Sequence, residues 1–95
     1  MAKIDRVKIA VLGTGSIGLR HLRIINSTEN ATAVAIPVRA SRLSELKADG
    51  FATLPCLREA AGEAQAIIIA TDTARHFEDA LCALSQGFHV LVEKP

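Results

Sequence analysis

The chain has 95 residues, enough for one small domain, and a net charge of +1. Apolar residues make up 49% and the only aromatics are three Phe, so the core must be aliphatic, as suits a parallel sheet covered by helices. The near-neutral balance, with no basic patch interleaved with aromatics, argues against nucleic acid as a partner.

Cys56 and Cys82 form no C-x-x-C or zinc pattern. They read as two reduced thiols in a cytoplasmic protein, and no metal site is expected. The charged N-terminus, Met1 to Arg6, leads into no signal-type apolar region, and no apolar run reaches membrane-spanning length.

Val7 to Leu12 is an apolar run that reads as the first strand. It enters Gly13-Thr14-Gly15-Ser16-Ile17-Gly18, with glycines at G-x-G-x-x-G spacing. Gly13 permits a tight turn, Gly15 lets a pyrophosphate approach the backbone, and Gly18 lets the next helix pack closely on the sheet. That helix, Ser16 to about Asn26, offers free N–H groups and its positive dipole end to phosphates. The spacing alone is a weak signal, but a strand before it and an amphipathic helix after it are the context the motif requires. Gly18, Leu22 and Ile25 should face the sheet, with Arg20 and Arg23 outward. His21 reads as hydrogen-bonded or solvated rather than catalytic.

Residues 26–30 are a polar turn, and Ala31 to Val38 is the second strand, weakened near its end by Pro37. Ser41 is a candidate cap for a helix through about Asp49, with Glu45 close to capping-box distance and Gly50 as the stop. Phe51 to Leu54 is a short third strand ended by Pro55, and Leu57 to Glu63 a brief helix ended around Gly62. Ala66 to Thr71 carries the strongest buried-strand signal. Asp72 or Thr73 could cap the following helix, on which Phe77, Ala80, Leu81 and Leu84 form an apolar stripe. Gly87 ends it, Phe88 to Val92 is the fifth strand, and the chain closes on Glu93-Lys94-Pro95.

Strand and helix alternate throughout, which predicts an α/β fold: a doubly wound parallel (Rossmann) sheet in the order 3-2-1-4-5, lacking a last strand. The ligand crevice then lies at the carboxyl ends of strands one and four. Gly13 to Gly18, Arg39, Ser41, Arg42, Thr71 and Thr73 are the candidate cofactor contacts around it. A ribose-reading acid is missing, since no carboxylate occurs between Glu29 and Glu45. Arg39, Ser41 and Arg42, with no carboxylate beside them, would suit a 2′-phosphate, so NADP is expected and NAD is possible. The alternative is a solvated basic turn. Lys94, at the carboxyl end of the fifth strand, could hydrogen-bond a substrate oxygen and shuttle a proton, with Glu93 holding its ammonium. Read alone, the pair is an exposed Glu–Lys couple at a strand end.

Gly13-Thr14-Gly15-Ser16-Ile17-Gly18 with His21, Ala70-Thr71 with His76, and Gly87 through Pro95 together resemble the glucose–fructose oxidoreductase and inositol dehydrogenase (Gfo/Idh/MocA) family. The resemblance runs over essentially the whole chain. It implies the N-terminal, NAD(P)-binding part of an oxidoreductase acting on a sugar, cyclitol or related polyol, with Lys94 as active-site lysine and Glu93 its partner. It also implies a second, substrate-binding domain beyond these residues, no activity from this part alone, and a homo-oligomer. Asp72 and Thr73 stand where the family usually has Pro-Asn, and a carboxylate there could repel a phosphate or alter the nicotinamide-side contacts. A non-catalytic, dinucleotide-sensing module is the rival reading.

Overall fold

The computed structural model describes residues 7–94; the charged Met1 to Arg6 segment and Pro95 of the closing tripeptide lie outside the described residues. Its strands are β1 (Val7–Leu12), β2 (Ala31–Ile36), β3 (Ala52–Thr53), β4 (Ala66–Ile69) and β5 (His89–Val92). All pair in parallel, in the order β3-β2-β1-β4-β5. β1 is central. It pairs along its whole length with β2, from Val7 opposite Ala31 to Leu12 opposite Ile36, and its last four residues pair with β4.

Alternation along the strands feeds two cores. Val11 and Ile68 pack with Leu22, Ile25 and Leu46, so α1 (Ser16–Asn26) and α2 (Leu43–Ala48) cover one face. Ala10, Leu12, Ile67 and Ile69 pack with Ala60, Ala83 and Phe88, so α3 (Leu57–Ala60) and α4 (His76–Ser85) cover the other. On α1 the buried residues are Gly18, Leu22 and Ile25, as the spacing predicts.

Several boundaries differ from expectation. β2 stops at Ile36, because Pro37 has no N–H to continue the ladder. β3 keeps only Ala52–Thr53, β4 ends at Ile69, and α3 ends at Ala60, before Gly62 turns the chain at φ +82°. Ser41 caps nothing: it lies inside a 3-10 turn, Ala40–Arg42, and no side chain caps that turn or α2. Asp72 and Thr73 likewise leave the next turn, Thr73–Arg75, and α4 without a side-chain cap.

The largest correction concerns α4. Phe77, Leu81 and Leu84 do not face the sheet; they are 73%, 51% and 57% exposed. Ala83 is the fully buried residue instead. A small side chain lets the helix lie close over β4 and β5, and Phe88 fills the core beside it. On the edge strand β5, Leu91 and Val92 are exposed.

Candidate dinucleotide site

β1 and β4 are neighbours, but the chain leaves β1 for one face of the sheet and β4 for the other. Their carboxyl ends therefore splay apart into a crevice. Three glycines shape it in different ways. Gly13 has φ +96°, and a Cβ there would lie 2.7 Å from the Ala70 carbonyl oxygen. A Cβ on Gly18 would sit 1.9 Å from the Gly13 carbonyl oxygen. Packing of the loop on β4 and of α1 on the loop demands both. Gly15 is extended, with φ −72° and ψ −166°, and a Cβ there would meet nothing within 4 Å. Its missing side chain serves open space, which is the room a close-approaching pyrophosphate would take.

Gly15 is also the N-cap of α1, and neither a capping side chain nor an acid occupies the first turn. The first helical bond runs from the Leu19 N–H to the Gly15 carbonyl. The N–H groups of Ser16, Ile17 and Gly18 thus have no intrahelical acceptor and mark the positive end of the helix dipole. This donor set fits a dinucleotide's phosphates.

A cleft of about 600 Å³ opens at this point. Residues Gly13 to Ser16 and Leu19 form its floor, and Val38, Arg39 and Arg42 one wall. Ala70, Thr71, Asp72 and Arg75 form the other. Of the expected contacts, Gly13, Thr14, Gly15, Ser16, Arg39, Arg42 and Thr71 are gathered here. Ile17, Ser41 and Thr73 are exposed outside the lining, and Gly18 is buried beneath the loop. Arg75 was not singled out from the sequence; its one signal is its place three residues past Asp72, a turn further along the chain.

The two expected arginines differ. Arg42 reaches back to the glycine loop, donating from Nη2 to the Thr14 carbonyl at 2.8 Å and from Nε to Thr14 Oγ1 at 3.4 Å. Its Nη1 pairs with Glu45 at 3.1 Å. So a carboxylate does stand beside this turn, supplied by the next helical turn rather than by the strand end. Arg39 is exposed and makes no ion pair among the described residues. On the opposite wall Thr71 is pinned twice. Its hydroxyl donates to Asp79 Oδ2 at 2.6 Å, and its carbonyl accepts from His76 Nε2 at 2.6 Å, which requires the Nε2–H tautomer. Arg75 touches Asp79 Oδ1 at 3.4 Å.

The Glu93 amide bonds the Ile69 carbonyl at 2.9 Å, so Glu93 and Lys94 stay on the same sheet edge as the glycine loop. Glu93 Oε2 accepts from His21 Nε2 at 2.5 Å, and Oε1 accepts from the Lys94 backbone N–H at 3.0 Å. The carboxylate thus grips α1 rather than the Lys94 ammonium. These bonds, the His21 one foremost, hold the Glu93 carboxyl below the usual carboxylate range. His21 is hydrogen-bonded, one of the two states expected of it from the sequence. Lys94 is exposed and does not line the cleft.

A doubly wound parallel sheet with a glycine loop, an open helix N-terminus and a cleft at its switch point defines the class of dinucleotide-binding α/β domains. Within it, the chain belongs to the Gfo/Idh/MocA oxidoreductase family: the model of that family's NAD-binding Rossmann fold matches residues 7–95. The rhizopine catabolism protein MocA of Rhizobium meliloti is 32% identical over 97% of this chain and 30% of its own length. A UDP-N-acetylglucosamine 3-dehydrogenase from Acidithiobacillus ferrooxidans superposes with TM-score 0.83 and 28% identity, over 95% of this chain and 30% of that one. The scyllo-inositol dehydrogenase of Lactobacillus casei, at 24% identity and TM-score 0.82, shares the fold over 99% of this chain and 30% of its own. The chain therefore spans about a third of the length of these relatives.

Proposed function

We propose that this chain is the cofactor-binding part of a cytoplasmic, homo-oligomeric oxidoreductase acting on a sugar, cyclitol or related polyol, and that its cofactor is NADP in preference to NAD. The observation that carries the reading is Gly15: a Cβ there would meet nothing within 4 Å, and it caps a helix whose first N–H groups have no acceptor among the described residues. Membership of an NAD-binding oxidoreductase family and likeness to a UDP-N-acetylglucosamine 3-dehydrogenase support the reaction class.

When bound, the nicotinamide supplies or accepts hydride; the protein's part is to aim it and to handle the substrate's proton. The loop amides and the α1 N-terminus hold the pyrophosphate. Arg39, which makes no ion pair among the described residues, takes the 2′-phosphate, while Arg42 holds the Thr14 carbonyl and so fixes the loop. Lys94 donates to the substrate oxygen and carries its proton. With Glu93 bound to His21, Lys94 is positioned through the backbone of this turn. In the complete enzyme a second domain holds the substrate, so these residues alone turn over no polyol. Calorimetric titration of the chain with NADP and with NAD tests the reading. Binding of both, tighter for NADP, is expected; binding of neither would overturn it.

A further inference from the structure

We propose that Arg75 is a pyrophosphate contact on the wall facing the glycine loop, a role that rests on the dinucleotide reading above. Asp72 and Arg75 line the same wall, three residues apart and joined through the Arg75 N–H to Asp72 carbonyl bond at 2.8 Å. Asp72 by itself would turn a negative wall toward two phosphates. Among the described residues lining that wall Arg75 is the only cation, and it offsets this charge. The cations across the cleft cannot stand in for it: Arg42 is engaged by Thr14 and Glu45, and Arg39 lies in the turn three residues beyond β2, on the opposite wall.

Arg75 is also available. Its ion pair with Asp79 is a single contact at 3.4 Å, and its side chain is 45% exposed. The other carboxylate oxygen of Asp79 is held by Thr71 Oγ1 at 2.6 Å, so a single N–H of Arg75 completes its partners. Nη2 can keep its contact with Asp79, which is only 12% exposed, while the other N–H groups of the guanidinium turn to the cleft. Its planar fork matches phosphate oxygens two at a time.

Since NAD and NADP share the pyrophosphate, Arg75 serves both equally. Titration of Arg75→Ala with NAD and with NADP should raise both dissociation constants by the same factor, about tenfold or more. The NADP-to-NAD ratio should stay as in the unmutated chain, and circular dichroism should show an unchanged fold. Arg75→Lys should recover part of the loss, and Asp72→Asn should tighten both cofactors. Unchanged affinities in Arg75→Ala would overturn the proposal. So would a loss confined to NADP, which would put Arg75 on the 2′-phosphate. If the unmutated chain bound neither dinucleotide, the proposed function would fall together with this role, whereas binding that ignores Arg75→Ala removes the role alone.

Discussion

The three loop glycines should separate folding from binding. In Gly18→Ala the new methyl would stand 1.9 Å from the Gly13 carbonyl oxygen, where a carbon and an oxygen settle at about 3.3 Å. Helix α1 and the loop must part by more than an ångström, and both are backbone, so no rotamer relieves the clash. Overpacking costs about 1–3 kcal/mol and sometimes more, and this site belongs at the upper end. Against a total stability of about 5–15 kcal/mol that is a large share. With about 4–8 °C of melting temperature per kcal/mol in a domain of this size, Gly18→Ala should melt at least roughly 12 °C lower. The Cβ of Gly15→Val meets nothing within 4 Å and the position needs no unusual backbone angle. Replacing an N-cap glycine costs it about 1 kcal/mol. Yet its methyls fill the space where the pyrophosphate must sit, so dinucleotide affinity should fall beyond detection. Thermal circular dichroism beside calorimetric titration reads both effects. A Gly18→Ala chain melting within a few degrees of the unmutated one, or a folded Gly15→Val chain with undiminished affinity, would refute the reasoning.

The two arginines of the β2 turn should also part company. Arg39→Ala should remove most of the NADP preference, about ten- to a hundredfold for one charge-assisted contact, and leave NAD binding alone; Arg42→Ala, which frees the Thr14 carbonyl, should weaken both cofactors in the same titrations. Glu93, held below its ordinary range in the fold, stabilises the protein above its unfolded pKa, and that contribution is lost as pH falls through the folded value. The stability gap between the unmutated chain and Glu93→Gln, read by urea unfolding, should therefore be widest near neutrality and close in acid. The exposed Phe77, Leu81 and Leu84 of α4 with Leu91 and Val92 of β5 should drive self-association, and Phe77→Ser with Leu91→Thr should reduce it in sedimentation velocity.

Where local signals agreed, the sequence was readable. The glycine loop sits between a continuous apolar run and a helix with one clear apolar face, so β1, α1 and the switch point could be placed from the pattern of Val7 to Ile25. Ile67 to Ile69 marked β4 in the same way. Alternation of strand and helix pointed to a doubly wound sheet, and the order 3-2-1-4-5 is the dinucleotide-binding form of that sheet. Periodicity misjudged α4 because apolar residues occupy more than one side of it: Phe77, Leu81 and Leu84 outweighed Ala83 in hydrophobicity, but close packing on the sheet favours the small residue. The site's long-range bonds left no trace in local pattern. His21 and Glu93 lie 72 positions apart, and Arg42 reaches 28 positions back to Thr14. Arg75 resembles any exposed helix-start arginine until the fold sets it against Asp72 in the cleft.

The central claim is that a dinucleotide lies across the splayed ends of β1 and β4, on the glycine loop. Amide-resolved NMR of the labelled chain during titration with NADP tests it most directly. The account predicts the largest shift changes at the amides of Gly13 to Gly18, with further changes at Arg39 and from Thr71 to Arg75. Saturable changes elsewhere that leave Gly15 and Ser16 unmoved would contradict it.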